Sequence, residues 1–368
     1  MPSSLVYFAD MSVTEEENLQ AKLLRLITTA GMERLDFPRK FVAIKIHFGE
    51  LGNLAYLRPN YAKTVVDFIR AHDGKPFLTD ANTLYVGGRK NALDHLETAY
   101  VNGFSPFSTG CHILIADGLK GNDECEVPVP GGEVVKTAKI SRAIMDADII
   151  ISLNHFKCHE LTGIGGAVKN IGMGCGSRAG KMVMHSNGKP QVDQKVCVGC
   201  GKCNAICAFD APKVANGKAC IDHAVCVGCG RCISICPVDA IDAAGDASND
   251  DLNKKMAEYT VAVLHGRPHF HISFVTDVSP FCDCHAENDV PIVPNIGMFA
   301  SFDPVALDWA CADAVNSQKA LPGSLLDRVG LRGNDHFSSV HPATDWRGCL
   351  DHCVKLGVGK KEYELVAI

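Results

Sequence analysis

The residues best placed to do chemistry are cysteines in two short runs. From Cys197 the chain reads C-V-G-C-G-K-C-N-A-I-C, and from Cys226 it reads C-V-G-C-G-R-C-I-S-I-C-P. Cys197, Cys200, Cys203 and Cys207 therefore recur 29 residues later as Cys226, Cys229, Cys232 and Cys236, an internal duplication of C-x2-C-x2-C-x3-C. Three cysteines at two-residue intervals can wrap one face of an iron-sulfur cube, because the small Val-Gly and Gly-Lys or Gly-Arg pairs between them let the backbone curl and aim amides at sulfur. The fourth cysteine of each run lies too far along the chain for the same cube. A pair of structural zinc sites is the competing reading, but zinc sites set two C-x2-C pairs apart and do not use three cysteines in one tight run.

Each run matches the pattern of bacterial two-cluster ferredoxins, in which the fourth cysteine ligates the other cluster. That resemblance implies Cys197, Cys200, Cys203 and Cys236 around one [4Fe-4S] cluster, and Cys226, Cys229, Cys232 and Cys207 around the second. Pro237 follows Cys236 as the pattern expects, whereas Ala208 follows Cys207, a departure that touches local rigidity and not ligation. Asn216-Gly217 marks a tight hairpin turn between the runs, with Cys220 as small filler beside it, and Val238 to Ile241 resembles a closing strand. The ferredoxin-type unit is expected to span 186–245.

Around that unit, apolar runs bounded by Gly, Asp or Asn alternate with helical patterns, so residues 1–185 and 246–368 are expected to form one discontinuous α/β domain with a mainly parallel sheet flanked by helices and the small α+β unit inserted. Expected strands are 5–9, 41–48, 76–79, 112–116, 147–153, 269–276 and 291–294. A helix is expected from a capping box at Thr14 to Glu17 through Ala30, others from Pro59 to His72 and from Asp303-Pro304 onward, and one over 252–265 after the polar stretch from Gly245 to Leu252.

In such sheets ligands gather beyond the carboxyl ends of strands, which directs attention to three loops. They are His47-Phe-Gly-Glu50, Asn154-His-Phe-Lys-Cys-His-Glu160, and Asp277 through Cys282-Asp-Cys284-His285. His47, His155, Lys157 and Lys169 are the candidate catalytic residues, and Gly163, Gly165, Gly166, Lys169 and Asn170 a candidate cradle for an anion or cofactor. The cradle fits neither G-x-G-x-x-G, which fails at Val168, nor the Walker pattern. Cys282, Cys284 and His285, with His155, Cys158 and His159 nearby, could form a third metal site or a reactive thiol. Cys111, Cys125, Cys311, Cys349 and Cys353 are expected to be structural.

Taken together, His47 to Glu50, Asn154 to His159, Gly165 to Asn170 and Asp303-Pro-Val-Ala-Leu-Asp308, interrupted by a two-cluster ferredoxin pattern, resemble the bacterial and archaeal iron-sulfur-centre proteins classed as a domain of unknown function. The resemblance implies an α/β body with a ferredoxin insert and names no substrate.

Composition narrows the partners. A formal charge of -6, from 36 basic and 42 acidic residues, offers no basic excess for a phosphate backbone, so nucleic acid is not an expected partner. No apolar run reaches the length of a membrane span, the first ten residues do not read as a signal peptide, and eighteen cysteines in such a chain fit a reducing cytoplasm. The expected role is electron transfer, to or from a small molecule or cofactor held by the α/β domain, or with a redox partner protein. An electron carrier without catalysis and a cluster- or metal-handling protein are the alternatives.

Overall fold

The structure, a computed structural model, describes residues 3–84, 87–186, 188–244 and 248–368. Eight strands form the central sheet: β1 (Ser4–Asp10), β2 (Phe41–Lys45), β3 (Lys75–Asp80), β4 (Ile113–Ile115), β5 (Ile149–His155), β6 (His269–Val275), β7 (Gly297–Ser301) and β8 (Tyr363–Ala367). Their order is β8-β1-β7-β6-β5-β2-β3-β4. Only β7 runs against its neighbours, β1 and β6; every other pairing is parallel, so the sheet is mainly parallel as expected.

Alternation along the strands divides the core into two layers. Val42 and Ile44 of β2, with Ile149, Ile151 and Leu153 of β5, point to the side covered by α1 (Leu19–Thr29) and α2 (Pro59–Ala71), while Ala99 of α3 (Ala92–Val101) adds to its edge. Ala43 and Ile150 point to the opposite side. There they meet α4 (Ala167–Gly172), α6 (Asn249–Leu264), α7 (Pro304–Asn316) and α8 (Trp346–Lys355). With helices on both faces, interior strands such as β5 are buried at every residue.

Three expected elements are revised, and one strand is added. Thr14 Oγ1 does accept the Glu17 amide at 3.1 Å, but this closes only a turn; the helix begins at Leu19, where Asn18 Oδ1 accepts the amides of Gln20 and Ala21 at 3.0 Å each. Residues 291–294 are not a strand, because Pro291 and Pro294 lack the amides a ladder needs, and the sheet takes Gly297–Ser301 instead. The helix expected from 252 starts at Asn249, with Ser248 Oγ accepting the Asp251 amide at 3.1 Å. The strand β8 was not anticipated; its residues carry no clear alternation, and it lies at the sheet edge beside β1.

Residues 190–243 make their own small structure: Pro190–Val192 pairs with Ile241–Ala243, and Pro212–Ala215 with Lys218–Ile221 across Asn216-Gly217, all antiparallel. Two five-residue helices, Lys202–Ile206 and Arg231–Ile235, start inside the two cysteine runs. The expected junctions at 186 and 245 adjoin positions 187 and 245–247, which lie outside the described residues. Among the described residues no helix is long and apolar enough to cross a membrane.

Candidate functional site

The cysteine runs curl as their glycines require. Gly199 and Gly201 in the first run, and Gly228 and Gly230 in the second, all have φ between 64° and 73°, a left-handed conformation that side chains resist. Built in this way, Cys197, Cys200, Cys203 and Cys236 line one cavity of about 310 Å³, and Cys207, Cys226, Cys229 and Cys232 line another of about 350 Å³. The fourth cysteine of each run thus faces the cavity of the other run. Among the described residues, no three of these eight sulfurs lie within 4.8 Å of one another, whereas a single tetrahedral zinc, at about 2.3 Å from each sulfur, would draw its sulfurs to about 4 Å. Backbone amides point at the sulfurs: Gly199 and Ala219 donate to Cys197 at 3.5 and 3.3 Å, Gly228 to Cys226 at 3.4 Å, and Ala240 to Cys236 at 3.2 Å.

The two halves differ in what covers them. Cys200 and Lys202 are exposed and Gly201 faces open space, while Gly228 and Gly230 are buried and Gly230 packs on the Arg178 side chain. Arg178 opens α5 (Arg178–Ser186) and is fully buried, with its Nε and one Nη lacking any protein acceptor. Asp117 is its nearest negative neighbour in effect, followed by Cys232 and Cys229, so the second run leans on the α/β body through a cation that Asp117 also attracts.

A larger cavity, about 840 Å³ with its mouth, lies at the carboxyl ends of β2, β3 and β5. Lys45, Asp80 and His155 come from strand ends, His47 from the loop that follows β2, Lys157 from a short strand (Lys157–His159) that pairs with Gly163–Gly165 after β5, Lys169 and Asn170 from α4, and Lys181 and His185 from α5. Leu84 lines it too, and packs with Met182, Cys203 and Cys232 in the core of the cysteine-rich unit, so the cavity sits between sheet and insert.

Buried charge fills its walls in pairs. Lys45 Nζ is 2.9 Å from Asp80 Oδ1 and donates to Asn170 Oδ1 at 2.7 Å; burial is the largest influence and would raise the Asp80 carboxyl, but Lys45, His47, His95 and Lys181 together outweigh it and hold it well below the usual carboxylate range. Asp283 is held low in the same way, by His155 at 2.9 Å and Lys157 at 2.9 Å. His155 also bonds the Thr276 carbonyl at 2.9 Å, so both ring nitrogens face acceptors and neither is open to a ligand. His47 faces donors instead, the Gly49 amide at 3.0 Å and Arg89 at 2.8 Å; burial first, and then Arg89, push its pKa well below the ordinary value. Arg89 in turn is fixed by Glu50 at 3.0 Å. The His47-Phe-Gly-Glu50 segment is therefore a brace for Arg89.

The four expected catalytic residues are thus brought to one cavity, but each is engaged by a protein partner. Of the expected cradle, Gly165 and Gly166 line the cavity and Gly163 does not; a Cβ on Gly163 would press on Trp346. The amides of Ala167 and Val168 at the start of α4 are taken by Asp308, at 2.7 and 2.9 Å, so they are not offered to an anion. This explains the Asp303-to-Asp308 segment: Asp303 caps α7, and Asp308 one turn on reaches across to cap α4. Burial raises Asp308 to about 7 in spite of those amides.

Sequence reasoning did not single out Lys45, Asp80, Arg89, Lys181 or Asp283. Lys181 Nζ donates to the Gly176 carbonyl at 2.7 Å, and among the described residues no carboxylate lies within 4 Å of it. Burial lowers its pKa to about 8. Its position in a helix after a glycine-rich stretch carries no motif, and only the fold turns it inward.

The expected third site changes membership. His159, Cys282 and Cys284 bring ligand atoms within 4.8 Å of one another, whereas His285 is 42% exposed and turns to Glu160 at 3.7 Å. His285 closes a tight turn in which its own amide donates to the Cys282 carbonyl at 3.0 Å, and its side chain faces outward. Lys169 Nζ lies 3.3 Å from Cys282 Sγ.

Two solved structures are similar to this chain at a low level. One is a Thermotoga maritima protein, 14% identical, with a TM-score of 0.40, covering 82% of this chain and 59% of its own. The other is the lactate racemase apoprotein from Thermoanaerobacterium thermosaccharolyticum, 11% identical, with a TM-score of 0.38, covering 74% of this chain and 51% of its own. The chain therefore spans little more than half the length of either. No curated protein matches the sequence. The family model described as Domain of unknown function (DUF362) matches residues 42–313, most of the chain, and the protein belongs to that family.

Proposed function

We propose that this protein binds two [4Fe-4S] clusters in residues 186–245 and uses them to pass electrons to or from a small anionic molecule in the cavity beneath the insert. The observation that carries the reading is the pair of cysteine-lined cavities, each built from three cysteines of one run and the last of the other. Their volumes and the spread of their sulfurs suit cubes and not single ions. Cys197, Cys200, Cys203 and Cys236 would hold one cluster, and Cys207, Cys226, Cys229 and Cys232 the other; when bound, they supply one-electron steps at potentials set partly by the amides aimed at sulfur.

The chain's own residues account for the rest. Lys45-Asp80 and Lys157-Asp283 are internally neutralised pairs, Lys169 faces Cys282, and Arg89 faces Glu50. Lys181 is left as positive charge on the cavity wall, which favours a carboxylate or similar anion as ligand. A carrier that only docks a partner protein has no use for a cavity of about 840 Å³ into which Lys45, Asp80, His155 and Lys181 project beside its clusters. The external donor is either a redox protein or a small-molecule reductant.

Iron and sulfide are measured per chain after anaerobic purification, with about eight of each expected. Cys200→Ser and Cys229→Ser should each disturb one cluster; unchanged iron content and visible absorption in both would refute cluster binding. Reduced protein is then mixed with small carboxylates and oxyanions. Reoxidation that depends on one of them supports the enzyme, exchange with a partner protein alone supports the carrier, and loss of iron to an apo-acceptor supports cluster delivery.

A further inference from the structure

We infer that Cys282 and Cys284 form a redox-active dithiol at the cavity, a two-electron station between the one-electron clusters and the bound molecule. The inference rests on the cluster reading above and deepens it. Cys284, His159 and Lys169 line the cavity directly, and Cys282 is buried just behind them. The two sulfurs lie within 4.8 Å, inside the reach of a disulfide after small side-chain rotations. The loop that carries them is held from several sides: the Cys282 amide donates to Glu160 at 3.1 Å, the Glu50 amide to the Asp283 carbonyl at 2.9 Å, and Arg89 to the Cys284 carbonyl at 3.3 Å.

A metal site built from the same three residues is the obvious rival, and the imidazole decides against it. His159 Nδ1 accepts two backbone amides, from Leu161 at 3.1 Å and Thr162 at 3.2 Å. Its proton therefore sits on Nε2, the atom a metal would need deprotonated. An Nε2–H is instead a donor, and it faces Cys282. Lys169 is a second donor, at 3.3 Å, whose charge would repel an incoming cation. Two donors converging on one sulfur are the surroundings of a thiolate. The Cys284 hydrogen bond first, and then Lys169 and His159 against the opposing effect of burial, hold Cys282 well below the ordinary thiol range, while Cys284 is pushed well above it and keeps its proton.

The redox step balances with these groups. In the oxidised pair one bond joins Cys282 Sγ to Cys284 Sγ. Two electrons, which bound clusters would supply one at a time, break it; Cys284 takes one proton and becomes a thiol, and Cys282 leaves as the thiolate that Lys169 and His159 hold. The bond re-forms when an acceptor in the cavity takes the two electrons and the proton. Cys158, next to His159 in the chain, does not compete for the role: it is fully buried, and burial pushes its thiol far up.

The test equilibrates anaerobic holoprotein in dithiothreitol buffers of graded poise, quenches in acid, alkylates under denaturing conditions and weighs the peptide carrying both cysteines. The expected result is a reversible change between two alkyl groups and none. In a second arm, oxidised holoprotein and cluster-stripped protein are exposed to reduced methyl viologen. Reduction at least tenfold faster in holoprotein supports the relay; equal rates overturn the link to the clusters while leaving the dithiol couple itself to the first arm. Lys169→Gln should slow alkylation of Cys282 at neutral pH about tenfold or more and shift the midpoint of the couple, changes that a packing role would not produce. A pair that stays dialkylated at every poise overturns the proposal, as does one equivalent of zinc or nickel that is retained through purification and lost in Cys282→Ser. Absence of iron with an intact dithiol couple would instead overturn the cluster reading alone.

Discussion

Replacing Lys181 by Met should stabilise the protein at neutral pH and abolish binding of an anion in the cavity. Lys181 is 7% exposed, and burial lowers its pKa from 10.5 to about 8, a net figure that already includes attraction to Asp117 and Asp80. At pH 7 the side chain is mostly charged in both states, and keeping it charged inside costs about 3 kcal/mol. Met preserves the stem's packing but loses the hydrogen bond to Gly176, worth about 1 kcal/mol. The net gain is about 2 kcal/mol, or roughly 3 °C in a chain of this size. A depressed lysine penalises the fold fully below its folded pKa, and the penalty fades as pH rises toward 10.5. The advantage of the Met variant should therefore shrink by about 2 kcal/mol between about pH 7 and pH 9.5. Thermal unfolding of both holoproteins at the two pH values reads this directly, and the same samples report ligand binding as a Tm shift with phosphate and small carboxylates. A variant that melts below the parent by the same margin at both pH values, or that binds anions as tightly, would refute the assignment of Lys181 as the positive charge that holds an anion in the cavity.

Other perturbations report on neighbouring parts of the same machinery. Arg178→Gln removes the cation against Gly230, Cys229 and Cys232, and should lower the potential of one cluster by tens of millivolts while sparing the other; anaerobic EPR titration separates the two. Asp308, raised to about 7, contributes stability that is full below its unfolded pKa near 3.8 and lost as pH rises through 7, about 4 kcal/mol across the window; Asp308→Asn should flatten that slope in thermal melts between about pH 4 and 8. Gly228→Ala should lower iron content, because a Cβ there would collide with the Gly188 carbonyl in addition to straining φ, whereas Gly201→Ala meets open space and carries only the strain, about 1 kcal/mol. Lys157→Ala leaves Asp283 with His155 as its partner and should spare both clusters while lowering Tm, as measured by iron content and melting on the same sample.

How much of this was legible in the sequence depends on whether a residue's role is local. The cysteine runs were, since spacing and the flanking glycines carry their own geometry: Gly199, Gly201, Gly228 and Gly230 adopt the positive φ that curling needs, and the exchanged fourth cysteines face the cavities the ferredoxin pattern implies. The sheet was legible too, because strands buried on both faces read as apolar runs, as β5 does. Roles that depend on distant partners were not. His47 reads in the sequence as a candidate catalytic residue, and in the fold it and Glu50 both engage Arg89, a residue 42 positions from His47 and without a motif of its own. Lys157 and His155 looked free and are tied to Asp283, more than a hundred residues away. The glycine-rich stretch before α4 looked like an anion cradle, and its amides are claimed by Asp308 from α7. In each case the buried site answers a charge with a partner brought by the fold, as desolvation demands. The corollary is that the ligand's place is marked by what the fold leaves unanswered. Lys181 on the cavity wall is of that kind, and it does not announce itself until β2, β3, β5 and the insert are assembled around it.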